Sequence, residues 1–330
     1  MTKKLKIVLL VLLSLISVFF AEVISGSMKY PLFDIWGYFV VIPLYGLHTI
    51  ILLYIITKNL PNKKIMFSVL YFAGVLFGLY EAYLTKVLWV GLSEDAFILF
   101  NISIIDYMVL VFFWHPIFSF IIPALVFERV ITNTNYLYQG LPKFIRNILE
   151  KKYGLFFVMI IIGFFSAFNG IFQTLTISEL SILIPILLIL LWIYRKGINN
   201  KYSFYEILPS KKGIIMSSMY LSLIYIGLGL FFKPEILTIE NQIPIWLSYL
   251  VFGYLFYGKL KRNKQEDESL EKQDGTNYKI ILIYCFIIVF SGVMFVVLLW
   301  FLGIKDIMLI TTWILWIITG VYMLIYSLLK

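Results

Sequence analysis

Apolar residues fall in ten long, nearly unbroken runs, over residues 6–24, 36–57, 65–90, 105–129, 153–173, 179–195, 213–232, 242–258, 279–302 and 307–328. Each approaches the about 20 residues a helix needs to cross the hydrocarbon core. Barrel strands would alternate polar and apolar side chains over about ten residues, and these runs do not alternate. The pattern predicts an all-α fold, a polytopic transmembrane helical bundle of about ten spans. Five spans fall in residues 1–175 and five in 176–330.

The segments between the runs carry the basic residues. With the N-terminus inside, 23 of the 27 Lys and Arg residues fall on the inner side, and only Lys29, Lys86, Lys233 and Lys305 fall at outer ends. Cytoplasmic loops collect Lys and Arg, so both termini are expected in the cytoplasm and the protein in the cell membrane. Trp36, Trp89, Trp246 and Trp300 sit near outer span ends, where amphipathic rings favour the headgroup level. The stretch Leu141–Tyr153 places Phe144, Ile145, Ile148 and Leu149 on one side, the pattern of a short interfacial helix. Residues 201–212 are expected to do something similar. The mixed-charge stretch 259–278 reads as a solvated loop.

Composition agrees with the pattern. Hydrophobic residues make up 62% and charged residues 14%, with a mean hydropathy of +0.95. A soluble chain has about 45–50% apolar residues. A soluble enzyme, a disordered chain and a nucleic-acid binder are therefore excluded. The net charge of +9 follows from the inner loops and needs no polyanion partner. Lys3, Lys4 and Lys6 before an apolar run imitate a signal peptide, but the run is long enough to span and Ala21 is a weak cleavage site, so a retained first helix is expected. The single cysteine, Cys285, forms no internal disulfide.

Ionisable and amide groups inside hydrocarbon are costly and mark candidate sites. They gather in the first five spans: Glu22, His48, Glu81, Lys86, Asp106, His115, Asn169 and Gln173. Depth along the alternating spans places most of them in the outer half of helices 1–5. Gly74, Gly78, Glu81 and Thr85 share one helical face, so Glu81 is expected to point into the bundle behind a Gly-xxx-Gly packing seam. His115 and Ser119 share a face of the fourth span, and Pro116 is expected to kink it. Glu81 and His115 are the candidate catalytic pair; Glu22, Thr85, Lys86, Asp106, Ser119, Asn169 and Gln173 are the candidate substrate-binding residues. Each also has a plainer reading. Glu22 and Asp106 suit headgroup water, Asn169 and Gln173 suit helix-to-helix hydrogen bonding, His48 suits packing, Lys86 suits snorkelling, and Glu128-Arg129 suits an inner boundary pair.

No G-x-x-x-x-G-K-[ST] loop, His-E-x-x-His or G-x-S-x-G motif is present. Two histidines are too few for a three-histidine zinc site. No metal is expected, and the sequence names no cofactor.

The segments Ala21-Glu22-Val23-Ile24-Ser25-Gly26-Ser27 and Tyr80-Glu81-Ala82-Tyr83-Leu84-Thr85-Lys86, with His115-Pro116, Pro123 and Glu128, resemble an uncharacterised family of prokaryotic polytopic membrane proteins. That family pairs A-E-x-x-S-G-S with a later E-E-G-x-x-T-K and a His-bearing helix. The resemblance covers roughly residues 10–130 and implies no activity. A more remote similarity is to the CAAX-processing intramembrane proteases, with their Glu-Glu-xxx-Arg motif and two later histidines. Here Tyr80 replaces the first glutamate, Lys86 stands one position too far along, and His48 precedes the glutamate motif. A paired-carboxylate activation of water therefore lacks a member.

Three functions fit the residues. One is a polar site that binds or modifies a lipid-linked or peptide substrate, with Glu81 as general acid or base. Another is a secondary transporter coupled through Glu81. The third is a non-catalytic assembly or interaction protein, which tight Glu81–His115 contact without a cavity would favour. Membrane lipids are the expected partners, and nucleic acid is not.

Overall fold

The computed structural model describes residues 1–93, 95–151, 153–169, 172–232, 234–265 and 276–330. The protein is an all-α polytopic bundle. Among the described residues, nine helices are long and apolar enough to cross a membrane: α1 (Lys3–Val23), α2 (Gly37–Asn59), α3 (Phe67–Thr85), α4 (Ile104–Ile131), α6 (Gln173–Arg195), α7 (Lys211–Phe231), α8 (Ile239–Lys264), α9 (Tyr278–Leu302) and α10 (Lys305–Leu329). The fifth apolar run differs from its expected length. It forms α5 (Gly154–Ser166), continued by a 3-10 turn over Ala167–Asn169.

Local signals set the helix ends. The Thr2 side chain accepts the Leu5 amide at 3.3 Å and opens α1. Asn277 accepts the Lys279 amide at 2.9 Å and opens α9, which closes at Gly303 with φ +63°. Lys86 ends α3 in the left-handed region at φ +69°. A short antiparallel ladder pairs Ile98 with Ser103 and Leu99 with Ile102. Its turn residues Phe100 and Asn101 both have positive φ, as a tight hairpin requires.

The core is built around α3, which is buried along almost its whole length. It packs against α2, α4, α8 and α10. Gly74 and Gly78 allow α4 to come close: a Cβ on Gly74 would lie 2.5 Å from the Pro116 Cα, and one on Gly78 3.2 Å from the His115 Cβ. α1 packs against α2, α4 and α6, α7 packs on α2, and α9 packs on α5 and α6.

Pro116 changes α4 more than by a kink. Residues Tyr107–Ile121 form a wide helical stretch with i to i+5 hydrogen bonding. Proline offers no amide and cannot continue ordinary α bonding. The Phe112 carbonyl, four residues earlier, accepts the Tyr71 hydroxyl at 2.8 Å, and the same hydroxyl lies 3.1 Å from the Gly320 carbonyl of α10. Two more wide turns, Phe19–Val23 and Gly37–Val41, end α1 and begin α2.

Several peripheral expectations change. Trp36, Trp246 and Trp300 are exposed, but Trp89 is buried and donates to the Asn241 carbonyl at 3.3 Å. A short helix does form at Lys143–Glu150, leaving Phe144 and Ile148 exposed. Residues 201–212 behave differently: Phe204 and Ile207 are buried in the protein, with Phe204 5.6 Å from Phe127. Of the stretch expected as a solvated loop, residues 259–264 instead continue α8, and residues 266–275 lie outside the described residues.

Candidate functional site

The arrangement begins with α1 and α2. Gly46 lies so close to Ser14 that an added Cβ would sit 2.1 Å from the Ser14 hydroxyl oxygen. Ser17 and Thr49 share a hydrogen bond of 3.2 Å across the same contact. This seam brings the Tyr45 hydroxyl onto Glu22, to which it donates a hydrogen bond. Glu22 itself sits in the wide turn that ends α1 and is half-buried. The Trp114 indole N–H donates to the neighbouring Ala21 carbonyl at 3.1 Å and ties α4 to this turn.

The second half of the site comes from α3 and α4. His115 Nε2 lies 2.7 Å from a Glu81 carboxylate oxygen, and both residues are buried. The distance is that of an ion pair, but the approach lacks the angles of a good hydrogen bond. His115 Nδ1 meets the Ser119 hydroxyl at 2.9 Å, which fixes the ring. Glu22, Glu81 and His115 lie within electrostatic reach of one another, and the Tyr45 hydroxyl is near both carboxylates. The result is one buried polar cluster drawn from four helices: Glu22, Tyr45, Glu81, His115 and Ser119.

Chemically, the cluster can hold and pass protons. It contains two carboxylates, an imidazole and a phenol at hydrogen-bonding or ion-pairing distance. Among the described residues, no group of His, Cys, Asp and Glu is arranged to hold a metal ion.

The other candidate residues lie elsewhere. The Thr85 hydroxyl bonds back to the Glu81 carbonyl at 3.2 Å. Lys86 pairs with Glu235. Asp106 is buried and accepts from the Ser103 hydroxyl and the Leu92 amide, so it organises the turn before α4. Gln173 is exposed, and the Asn169 side chain lies outside the described residues. His48 packs on Phe77 and Tyr80, with ring centroids at 4.8 and 4.1 Å.

Three residues matter more than the sequence indicated. Tyr45 donates to Glu22 and lies near Glu81, and its only sequence signal is the small and polar set Tyr45, Gly46 and Thr49. Glu179 is buried beside Val23, Gly26 and Lys29, with Ser166 near it. Glu128 is no simple boundary residue. It is fully buried and accepts the Leu137 amide at 3.1 Å and the Tyr138 amide at 3.0 Å, while Arg129 stacks on the Tyr138 ring.

The fold and this cluster define a multi-pass integral membrane protein with a polar core among its first four helices. Residues 11–330 match the model of an uncharacterized membrane protein family, and the chain belongs to that family. It is also similar to an uncharacterized protein of Archaeoglobus fulgidus, with 31% identity over 264 residues, 79% of this chain and 80% of that one. No solved structure matches.

Proposed function

We propose that the protein binds, and by acid–base chemistry modifies, a lipid-linked or peptide substrate at the Glu22–Tyr45–Glu81–His115 cluster. In this reading α5 crosses as a tenth span, so that the protein sits in the cell membrane with both termini cytoplasmic, which the 23-to-4 split of basic residues supports. Residues 1–175 carry the site and 176–330 supply an apolar scaffold. The convergence of two carboxylates, a phenol and an imidazole from four helices carries the reading, because ionisable groups are expensive in a membrane core.

Each side chain has a role. Glu81 takes or gives the proton at the reacting group, and His115 relays it. Ser119 holds the imidazole at Nδ1 and leaves Nε2 facing Glu81. Glu22 is the most accessible member and marks the entrance, with Tyr45 linking it to Glu81. Substrate entry separates the Glu81–His115 pair.

The 2.7 Å pair also favours a second reading, in which the cluster is a structural lock in a non-catalytic membrane partner. One comparison separates the two. Membranes from cells expressing equal amounts of folded wild-type, Glu81→Gln and His115→Ala protein are profiled for lipid-linked and peptide species. A species bound or altered only by the wild type supports the site. Identical profiles from three equally folded proteins reject it.

A further inference from the structure

The basic end of the bundle holds a cavity remote from the polar cluster. It has a volume of about 260 Å³, and its lining includes Lys6 of α1, Tyr54 and Lys58 of α2, the exposed Tyr205, and Ser210 and Lys211 at the start of α7. From these contacts we infer that this cavity binds a phosphate group, with the headgroup of an anionic phospholipid as its source.

Three lysines from three separate helices converge on one space. The Lys6 ammonium donates to the Leu208 carbonyl at 2.8 Å, and the Lys58 ammonium donates to the Tyr54 hydroxyl at 3.0 Å. An ammonium has three donors, so each of these lysines keeps donors for a ligand. Glu206 acts on Lys6 through its charge, but it does not line the cavity, so one carboxylate held by Ser203 stands against three ammonium groups. The Ser210 side chain makes no capping bond to α7, so the first turn of that helix adds partial positive charge to the same wall. Like charges gathered around an open space repel, and a bound anion offsets that repulsion.

Size and surroundings select the source. Pockets for whole small molecules span about 300–1,000 Å³. A slightly smaller cavity suits a headgroup rather than a complete lipid. Beyond Lys211, α7 exposes Ile215, Met216 and Met219, an apolar strip along which acyl chains can lie. Basic pockets between helices at a cytoplasmic surface are suited to anionic headgroups.

Native mass spectrometry of the full chain in detergent tests this, with dioleoylphosphatidic acid or inorganic phosphate as the probe. Saturable binding of the lipid is expected, and a Lys58→Gln/Lys211→Gln variant is expected to bind it about thirtyfold more weakly. Saturable, lysine-dependent binding of inorganic phosphate at equal strength would keep the phosphate site but reassign its source to a soluble compound. A Lys201→Gln/Lys212→Gln variant, altered on the same end but outside the cavity lining, retains wild-type affinity. The inference is overturned by absence of saturable binding of both probes. It is equally overturned if both double variants lose affinity equally, or if the folded Lys58/Lys211 variant binds like wild type.

Discussion

The Tyr71 hydroxyl donates to the Phe112 carbonyl, the oxygen four residues before Pro116. In ordinary α winding the amide of residue 116 would approach that oxygen, and proline has none; the wide winding of Tyr107–Ile121 shifts the pairing by one residue. A side chain of α3 thus gives α4 an added hydrogen bond beside its proline. The same hydroxyl reaches Gly320, so one atom joins three helices.

Tyr71→Phe keeps the ring and removes this link. Loss of one intramolecular hydrogen bond costs about 0.5–1.5 kcal/mol. Thermal unfolding in detergent should show a lower midpoint, with the Glu81–His115 site still assembled.

Breaking the buried pair should be non-additive. Removal of one partner leaves the other a buried polar group without its contact, at about 1–3 kcal/mol. Glu81→Leu and His115→Leu should each destabilise strongly, and the double variant should lose less than the sum. Denaturation of the four proteins in one cycle measures this, and strict additivity would mean the pair is not coupled.

The glycine seam positions the pair. Gly78→Leu drives a side chain toward the Val111 Cα and His115 Cβ, 3.1 and 3.2 Å from the new Cβ. Overpacking of this kind costs about 1–3 kcal/mol. A cysteine cross-linking assay between α3 and α4, in a Cys285→Ser background, should report their separation.

Glu128 anchors the loop after α4. Glu128→Ala frees the amides of Leu137 and Tyr138, and a typical intramolecular hydrogen bond is worth about 0.5–1.5 kcal/mol. Hydrogen exchange at these two amides should accelerate, while exchange within α3 stays slow.

Tyr136 gives the loop an alkaline limit. It lies outside the spans, and burial, followed by the nearby charges of Glu128 and Glu206, raises its hydroxyl above its ordinary pKa. The unfolded chain then sheds this proton first, near pH 10. Above that pH the unfolded state binds fewer protons, so stability falls as pH rises, whereas below it the group contributes no slope. Denaturant titrations from pH 8 to 11 should show a shallower alkaline loss in Tyr136→Phe. That variant also gives up the 2.9 Å bond to Asn62 at neutral pH.

Much of the membrane architecture was legible in the sequence because hydrocarbon imposes length and polarity on every spanning helix. The Gly74–Gly78 face and its placement of Glu81 could be read from the helical period. The shared face of His115 and Ser119 could be read too, even though α4 is wound more widely than an α-helix. Tyr45 could not be found in this way. Its bond to Glu22 spans 23 positions and depends on the Gly46–Ser14 contact, which no local pattern specifies. Glu128 misled for a related reason: position at a span end implied water, whereas the following loop folds back and buries it.

The α3–α4 pairing also governs how the chain enters the bilayer. An ionisable residue is costly to insert within a lone helix. Glu81 and His115 lie on consecutive helices joined by an 18-residue connection that bears the hairpin. During biogenesis, each helix is therefore the other's solvent, and the two are best released into the lipid as a single unit.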